Sequence, residues 1–115
     1  MKNVLIVDDA EFMRMTIKQM LEGKVNVVGE AADGQEAVEK YKVLHPDIVL
    51  MDITMPVMSG IEALKEIKAY NPEARIIIVS AMGQEQTVRE AILHGAETFI
   101  VKPFTGDRLI EVVLR

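Results

Sequence analysis

The sequence predicts an α/β fold, a doubly wound parallel sheet of five strands with five helices, and three observations support it. Five short, almost wholly apolar runs recur along the 115 residues, as is typical of strands buried on both faces. Between them, apolar residues recur every three to four positions, which predicts helices. The two kinds of segment alternate throughout, which favours a parallel sheet. We expect one domain over residues 1–115, with no output domain attached.

The predicted strands are rich in valine and isoleucine, which fit well on a buried pleated surface. In chain order they cover residues 3–7, 25–29, 47–51, 75–79 and 98–101. Each run is about five residues long, whereas a membrane-spanning helix needs about 20 apolar residues. The apolar runs therefore predict strands of a buried sheet and no membrane span.

A segment with helical periodicity follows each strand. The repeating apolar positions are, in chain order, Phe12, Met15, Ile17 and Met20; Ala37, Val38, Tyr41 and Leu44; Ile61, Leu64 and Ile67; Val88, Ala91 and Ile92; and Leu109, Val112 and Val113. Ser59 and Glu62 have the spacing of a capping box at the start of the third helix. Asp33 suits the N-cap of the second helix, and Gly95 suits a left-handed position after the fourth.

The composition excludes several classes of function. The chain has no cysteine, which excludes a disulfide framework and thiolate metal sites. Its 13 basic residues are outnumbered by 18 acidic ones and form no basic run, which argues against nucleic-acid binding. No signal peptide is recognisable, so we expect a cytoplasmic protein. We also expect a soluble monomer that binds neither nucleic acid nor membranes.

Charged and hydroxyl side chains follow four of the predicted strands. Asp8 and Asp9 follow the first strand and Asp52 follows the third, while Ser80 follows the fourth and Lys102 the fifth. Ligands of doubly wound sheets bind outside this edge of the sheet. We assume the flavodoxin-like strand order 2-1-3-4-5, one of the common orders of doubly wound sheets. In that order the first and third strands are neighbours, so the three carboxylates should converge.

Three converging carboxylates need a proton or a cation, because ionised carboxylates in one site repel one another. Mg²⁺ (or Mn²⁺) fits, since Mg²⁺ is commonly bound by one or two carboxylates together with water and phosphate oxygens. An aspartate can act as a nucleophile and form an aspartyl phosphate, while metal and lysine stabilise the phosphoryl oxygens. We therefore predict Asp52 as the nucleophile, Asp8 and Asp9 as metal ligands, and Ser80 and Lys102 as phosphoryl-binding groups.

Each of these residues also has a plain structural interpretation. Asp8 or Asp9 could cap the first helix, and Ser80 could cap the fourth. Asp52 could open a turn, and Lys102 could simply be solvated. The coincidence of all of them at one edge of the sheet favours a functional site.

Four stretches of the chain resemble the receiver domain of bacterial two-component response regulators. They are VLIVDDAEFMR at 4–14, DIVLMDITMPVMSG at 47–60, IIIVSAMG at 76–83 and AETFIVKPF at 96–104. The segments DITMP, SAMGQ and FIVKPF are also similar to those of stand-alone chemotaxis regulators. The resemblance implies a phosphorylation-dependent signalling switch and not a turnover enzyme.

The resemblance also implies a role for individual residues. Asp52 would accept the phosphoryl group from a phosphohistidine of a sensor kinase. Asp9 and Asp52 would coordinate Mg²⁺ directly, Asp8 would complete the acidic pair, and the backbone carbonyl of Thr54 would be a further ligand.

The remaining implied roles concern the phosphoryl group, the switch and the loops. Ser80, Ala81 and Lys102 would stabilise the phosphoryl group, and Phe99 would be the switch aromatic, although a plain core aromatic is the simpler interpretation. The structural positions would be Pro56, Gly60 and Pro103, the last preceded by a cis peptide bond.

The implied partners are proteins. They are a sensor histidine kinase (CheA-like), a flagellar motor switch protein (FliM-like) or another protein target, and a phosphatase. The signal would leave through a surface formed by the fourth helix, the fifth strand and the fifth helix.

Two alternative functions stay open. The chain could be the receiver half of a DNA-binding regulator, with the same chemistry and a different output. It could also be a Mg²⁺-dependent phosphohydrolase with an aspartyl-phosphate intermediate, although such enzymes usually carry a second aspartate where this chain has Thr54. A flavodoxin-like carrier is excluded, because Asp8 and Asp9 would repel the phosphate of a flavin.

Overall fold

Five parallel strands form one sheet in the computed structural model, which describes residues 1–115. The strand order is β2-β1-β3-β4-β5, so the predicted fold class and strand order are confirmed. The elements are β1 (Asn3–Val7), α1 (Glu11–Leu21), β2 (Asn26–Ala31), α2 (Gly34–Leu44), β3 (Ile48–Asp52), α3 (Gly60–Tyr70), β4 (Ile76–Ser80), α4 (Glu85–Leu93), β5 (Thr98–Val101) and α5 (Gly106–Leu114).

The bounds of β1 and β5 agree with the prediction, whereas the three other strands begin one residue later and end one or two residues later. The apolar runs end at Met51 and Val79, but the pairing of the backbones continues for one more residue. Asp52 pairs with Val79, and Ser80 pairs with Val101. Asp52 and Ser80 are therefore the last residues of their strands, where the sheet itself holds their backbones.

A hydrophobic core lies on each face of the sheet. On one face α2, α3 and α4 pack against the strands through residues such as Ala37, Leu64 and Ala91. On the other face α1 and α5 pack through residues such as Ile17 and Leu109. Because both faces are covered, every residue of β3 and β4 is buried. This explains why those two strands are continuous apolar runs up to their last residue.

The predicted start and stop signals are present. The Ser59 hydroxyl accepts a hydrogen bond from the Glu62 backbone N–H, and the Glu62 carboxylate accepts one from the Ser59 N–H, completing the capping box. Asp33 caps α2 by accepting from the Glu36 N–H at 2.8 Å. Gly95 follows α4 with a φ of 107°. No helix of the chain is long and apolar enough to serve as a membrane span.

Candidate functional site

Three carboxylates meet at the carboxyl edge of the sheet. Asp8 and Asp9 follow β1 and Asp52 ends β3, and one ligand oxygen from each lies within 4.8 Å of those of the others. Asp8 is 2% exposed and Asp52 is 8% exposed, whereas Asp9 is exposed. The cluster therefore has a buried floor formed by two carboxylates and an open side at Asp9.

The loop between β1 and α1 holds Asp8 in place. Its backbone N–H donates to the carbonyl of Ala31 at 3.0 Å, and its Oδ1 accepts from the Ala10 N–H at 2.9 Å. The Arg14 guanidinium donates to the Asp8 backbone carbonyl at 2.6 Å, and it also pairs with Glu30 at 3.0 Å. These contacts leave Oδ2 of Asp8 directed toward Lys102.

Lys102 joins the two buried carboxylates. Its Nζ donates to Oδ2 of Asp8 at 3.2 Å and lies 3.7 Å from Oδ1 of Asp52. That Asp52 oxygen also accepts a hydrogen bond from the Ile53 N–H at 2.9 Å. Lys102 thus places one ammonium group beside two of the three carboxylates.

Burial dominates the titration of Asp52. Removal from water raises the pKa of its carboxyl from 3.8 to about 6, the Lys102 ammonium opposes this rise, and the charge of Asp8 adds to it. A nearby cation stabilises the ionised form of such a carboxyl group. The site therefore favours either a proton on Asp52 or a metal ion.

Ser80 contributes a hydroxyl that has no partner. The residue is 1% exposed, and its buried Oγ makes no hydrogen bond. A buried hydroxyl left unpaired costs about 1–3 kcal/mol. This hydroxyl lies at the end of β4, the strand beside β3, where a group bound to Asp52 could accept its proton.

Phe99 lies on β5 beside an open cavity. The cavity has a volume of about 510 Å³, and Ser80, Val88, Ile92 and Phe99 are among the residues that line it. The ring is 40% exposed, so Phe99 is not a core aromatic. The cavity leaves space between the end of β4 and the ring.

The other predicted positions lie in the surrounding loops. Thr54 and Pro56 are exposed in the loop after β3. The Lys102–Pro103 peptide bond is cis. Gly60 begins α3 and donates its backbone N–H to the Ile53 carbonyl at 2.8 Å, and a Cβ atom at this position would overlap the Asp52 carbonyl oxygen.

The structure argues against the plain structural interpretations. The N-caps of α1 and α4 are Ala10 and Gln84, and neither helix has a side-chain cap. Asp52 belongs to a strand and not to a turn, and Lys102 is paired. Helix capping and turn formation as first expected therefore do not explain these residues, although Asp8 does accept a local hydrogen bond from the Ala10 N–H.

Two residues that the sequence analysis did not single out also contact the site. Arg14 holds the Asp8 carbonyl, and the Gln84 side chain accepts a hydrogen bond from the Ala81 N–H at 2.7 Å. Neither residue belongs to an apolar run or directly follows a strand. A search for polar side chains at the ends of predicted strands therefore does not identify them. The position of Arg14 on α1, where it pairs with Glu30 of β2, is the one feature that could have indicated its place near the site.

The residues present fit a magnesium ion. The three side chains that converge offer only carboxylate oxygens, which are hard ligands of the kind that Mg²⁺ prefers. Two of them are buried, and a single lysine cannot neutralise all three. Asp8, Asp9 and Asp52 are the side chains that would hold the ion.

The chain is similar to known proteins over nearly its whole length. Residues 4–114 match the family model described as the response regulator receiver domain. The chain is 58% identical to the chemotaxis protein CheY of Thermotoga maritima over 113 residues, covering 97% of this chain and 94% of that one. It is 59% identical to CheY of Bacillus subtilis over 111 residues, covering 96% and 92%.

Solved structures show the same fold. The chain superposes with a TM-score of 0.93 on a chain of the CheX–CheY–BeF₃–Mg²⁺ complex from Borrelia burgdorferi, at 44% identity, covering 98% of this chain and 87% of that chain. The response regulator domain of Thermotoga maritima CheB gives a TM-score of 0.86 at 42% identity, covering 98% and 90%.

Proposed function

Because the chain belongs to the response regulator receiver domain family, we propose that it is a signalling switch that accepts a phosphoryl group on Asp52. The observation that carries this proposal is the position of Lys102, whose ammonium group lies 3.7 Å from Asp52 and 3.2 Å from Asp8. A nucleophilic carboxylate, an acidic pair and a cation thus surround one point, as phosphoryl transfer requires.

The transfer is a displacement at phosphorus. An oxygen of the ionised Asp52 carboxylate forms the new bond to phosphorus, and the bond between phosphorus and the donor breaks. With a phosphohistidine donor the imidazole leaves with the electron pair, and with acetyl phosphate the leaving group is acetate. Asp8, Asp9 and Asp52 would hold Mg²⁺, and the chemistry that the bound ion supplies is stabilisation of negative charge on the phosphoryl oxygens.

Three further groups of the chain would hold the phosphoryl oxygens. The Lys102 ammonium already faces Asp52, and the Ser80 hydroxyl has a proton to donate and no present acceptor. The Ala81 backbone N–H would donate to a third oxygen. A phosphoryl group adds a charge of about −1.5 to −2 and three acceptor oxygens, so it would satisfy all three donors at once.

We propose that the signal leaves through the surface formed by α4, β5 and α5. Movement of Ser80 toward the phosphoryl group would enlarge the space in the adjoining cavity, which favours an inward rotamer of Phe99. The cavity of about 510 Å³ that both residues line supports this route. Such a change is a population shift, limited by the difference in phosphoryl affinity between the two conformers.

The proposed partners are proteins of a chemotaxis pathway. A CheA-like sensor kinase would donate the phosphoryl group, a FliM-like motor switch protein or another protein target would read the altered surface, and a phosphatase would remove the group. Support comes from the relatives named CheY, which match over nearly their whole length, and from the solved CheX–CheY complex. We expect the chain to act as a signalling protein and not as a turnover enzyme.

Incubation with acetyl phosphate, followed by intact mass spectrometry, tests the acceptor. The wild-type chain should gain one phosphate in the presence of Mg²⁺ and none without it. Asp52→Asn should gain none, because the nucleophilic oxygen is lost. Asp107→Asn is the matched control, since Asp107 is an exposed aspartate of α5 and the variant should still gain one phosphate. Uptake by Asp52→Asn would show that the acceptor assignment is wrong.

A second measurement separates the switch from a phosphohydrolase. The chain is incubated with an excess of p-nitrophenyl phosphate and Mg²⁺, and released p-nitrophenol is followed over many equivalents. We expect no sustained release, because Thr54 replaces the second aspartate of the hydrolases. Continuous release of many equivalents would identify an enzyme instead.

A further inference from the structure

Gln84 connects two loops of the site through both ends of its amide. Its Oε1 accepts a hydrogen bond from the Ala81 N–H at 2.7 Å, and its Nε2 donates to the Thr54 hydroxyl at 2.9 Å. Thr54 is 30 positions away in the chain and lies in the loop after β3, whereas Ala81 follows β4. We call this pair of hydrogen bonds the Gln84 bridge.

The Gln84 bridge does not cap α4, the helix that Gln84 precedes. Gln84 is the N-cap residue of α4, yet its side chain makes no capping hydrogen bond. An N-cap side chain normally accepts from the second or third N–H of its own helix. The amide of Gln84 is directed toward the phosphorylation site instead, which requires an explanation other than helix capping.

We propose that Gln84 is a positioning residue that occupies the Ala81 N–H in the unphosphorylated chain and must release it when Asp52 is phosphorylated. This rests on the proposed function, in which the Ala81 N–H donates to a phosphoryl oxygen. One N–H cannot make two good hydrogen bonds to acceptors in different directions. The Gln84 carbonyl and the phosphoryl oxygen therefore compete for the same donor.

The competition links the site to the output surface. Gln84 precedes the first residue of α4, and Val88 and Ile92 of that helix line the cavity beside Phe99. While the bridge is intact, the start of α4 is tied to the loop after β3 through Thr54. Release of Ala81 removes one of the two ties, so the start of α4 gains freedom when the phosphoryl group binds.

Three variants separate the bridge from other effects of residue 84. Gln84→Ala removes both hydrogen bonds. Gln84→Glu keeps an acceptor for the Ala81 N–H and loses the donor to Thr54. Gln86→Ala is the matched control, because Gln86 is an exposed glutamine of the same helix.

The first readout is hydrogen exchange of the Ala81 amide, measured by NMR on the unphosphorylated chain. Gln84→Ala should exchange about 2- to 10-fold faster at Ala81, the factor expected for loss of one ordinary neutral hydrogen bond. Gln84→Glu and Gln86→Ala should exchange no faster than wild type. Equal exchange rates in Gln84→Ala and wild type would show that the bridge does not hold this amide.

The second readout is the affinity for beryllofluoride in saturating Mg²⁺, measured by calorimetric titration. Without the competing acceptor, Gln84→Ala should bind this phosphoryl analogue about 2- to 10-fold more tightly than wild type or Gln86→Ala. A purely structural role would lower the unfolding midpoint and leave this affinity unchanged. Unchanged affinity would overturn the proposal.

The two proposals fail in different ways. If wild type gains phosphate on Asp52 and binds beryllofluoride, but residue 84 alters neither affinity nor exchange, the role of Gln84 is wrong and the proposed function stands. If wild type takes neither phosphate nor beryllofluoride, the proposed function is wrong and the competition at Ala81 is overturned with it.

Discussion

At the scale of single residues, Asp52 illustrates how burial prepares a carboxylate for chemistry. The sequence predicts that repulsion among the three aspartates opposes their ionisation. In the structure, the loss of water around Asp52 raises its pKa more than the charge of Asp8 does. The cost of ionising Asp52 therefore comes first from its place at the end of a buried central strand.

This cost predicts a pH-dependent stability. The folded pKa of Asp52 is about 6, against an ordinary value of 3.8, so the folded chain holds the proton more tightly than the unfolded chain. Stability must then fall as the pH rises from about 4 to 6. Without Mg²⁺, Asp52→Asn should be more stable than wild type by up to about 3 kcal/mol at pH 7, as measured by urea unfolding.

The difference between Asp52→Asn and wild type should shrink toward pH 4.5, where the wild-type carboxyl is protonated. Saturating Mg²⁺ should also reduce this difference in stability at pH 7, because the ion binds the ionised carboxylate of the folded wild-type chain. A difference independent of both pH and Mg²⁺ would contradict the role of burial.

Lys102 should control the same titration. The Lys102 ammonium lowers the pKa of Asp52, so Lys102→Met should raise that pKa further above its wild-type value. Lys102→Arg keeps a positive charge and should change the pKa of Asp52 less than Lys102→Met does. The measurement is a pH titration of the Asp52 carboxyl carbon by NMR in Mg²⁺-free buffer. An unmoved titration in Lys102→Met would mean that the 3.7 Å approach does not persist in solution.

The site residues differ in how far the sequence could predict them. Five site residues could be found because they lie at the ends of apolar runs, and the carboxyl ends of parallel strands meet at one edge of the sheet. They are Asp8, Asp9, Asp52, Ser80 and Lys102. Arg14 and Gln84 could not be found in this way. Each contacts the site through a backbone group, the Asp8 carbonyl or the Ala81 N–H, and backbone groups carry no signature in the sequence.

At the scale of elements, the start of α3 is packed against the end of β3. Gly60 donates to the Ile53 carbonyl, and the path of its backbone leaves no space for a Cβ atom beside the Asp52 carbonyl. The helix can approach Asp52 this closely only with glycine at its first position. The Ser59–Glu62 capping box fixes where the helix begins.

Gly60→Ala should therefore displace α3 from the end of β3. We expect a loss of about 1–3 kcal/mol in unfolding free energy, as for overpacking in a core, and slower phosphate uptake from acetyl phosphate. Gly106→Ala is the control, because Gly106 also begins a helix and a Cβ there would lie 3.5 Å from the nearest atom. The prediction is wrong if the two alanine variants unfold at the same urea concentration.

The bounds of the strands show the limit of pattern recognition. Apolar character predicted the ends of β3 and β4 at Met51 and Val79, one residue too early. Strand pairing depends on backbone hydrogen bonds, which continue through a polar residue if the neighbouring strand is present. The type and order of the elements could be predicted, but their last residues depend on tertiary contacts.

At the scale of the whole molecule, the site lies at the ends of central strands and the proposed output surface lies at an edge of the sheet. Asp52 ends β3 in the middle of the sheet, and Phe99 lies on β5 at its edge. β4, which ends in Ser80, lies between them. In the proposed switch, a change at Asp52 would therefore reach the edge of the sheet through Ser80 and the cavity.

The whole-molecule prediction is a displacement of the Phe99 ring on activation. Beryllofluoride with Mg²⁺ should shift the aromatic resonances of Phe99 and the amide resonances of α4 and β5, and leave those of α2 near their original positions. The measurement is a comparison of NMR spectra with and without the analogue, with Asp52→Asn as control. A ring that does not move would exclude Phe99 as the switch aromatic.

The hydrogen bond between Lys102 and Asp8 joins residues separated by 94 positions, with Asp52 between them in the chain. No partly folded chain that lacks β1 or β5 can assemble the site. The capacity to take up phosphate should therefore report on complete folding, and its loss in urea should coincide with global unfolding. A cell that reads this switch by its phosphate would therefore respond only to copies in which the first and last strands have already come together.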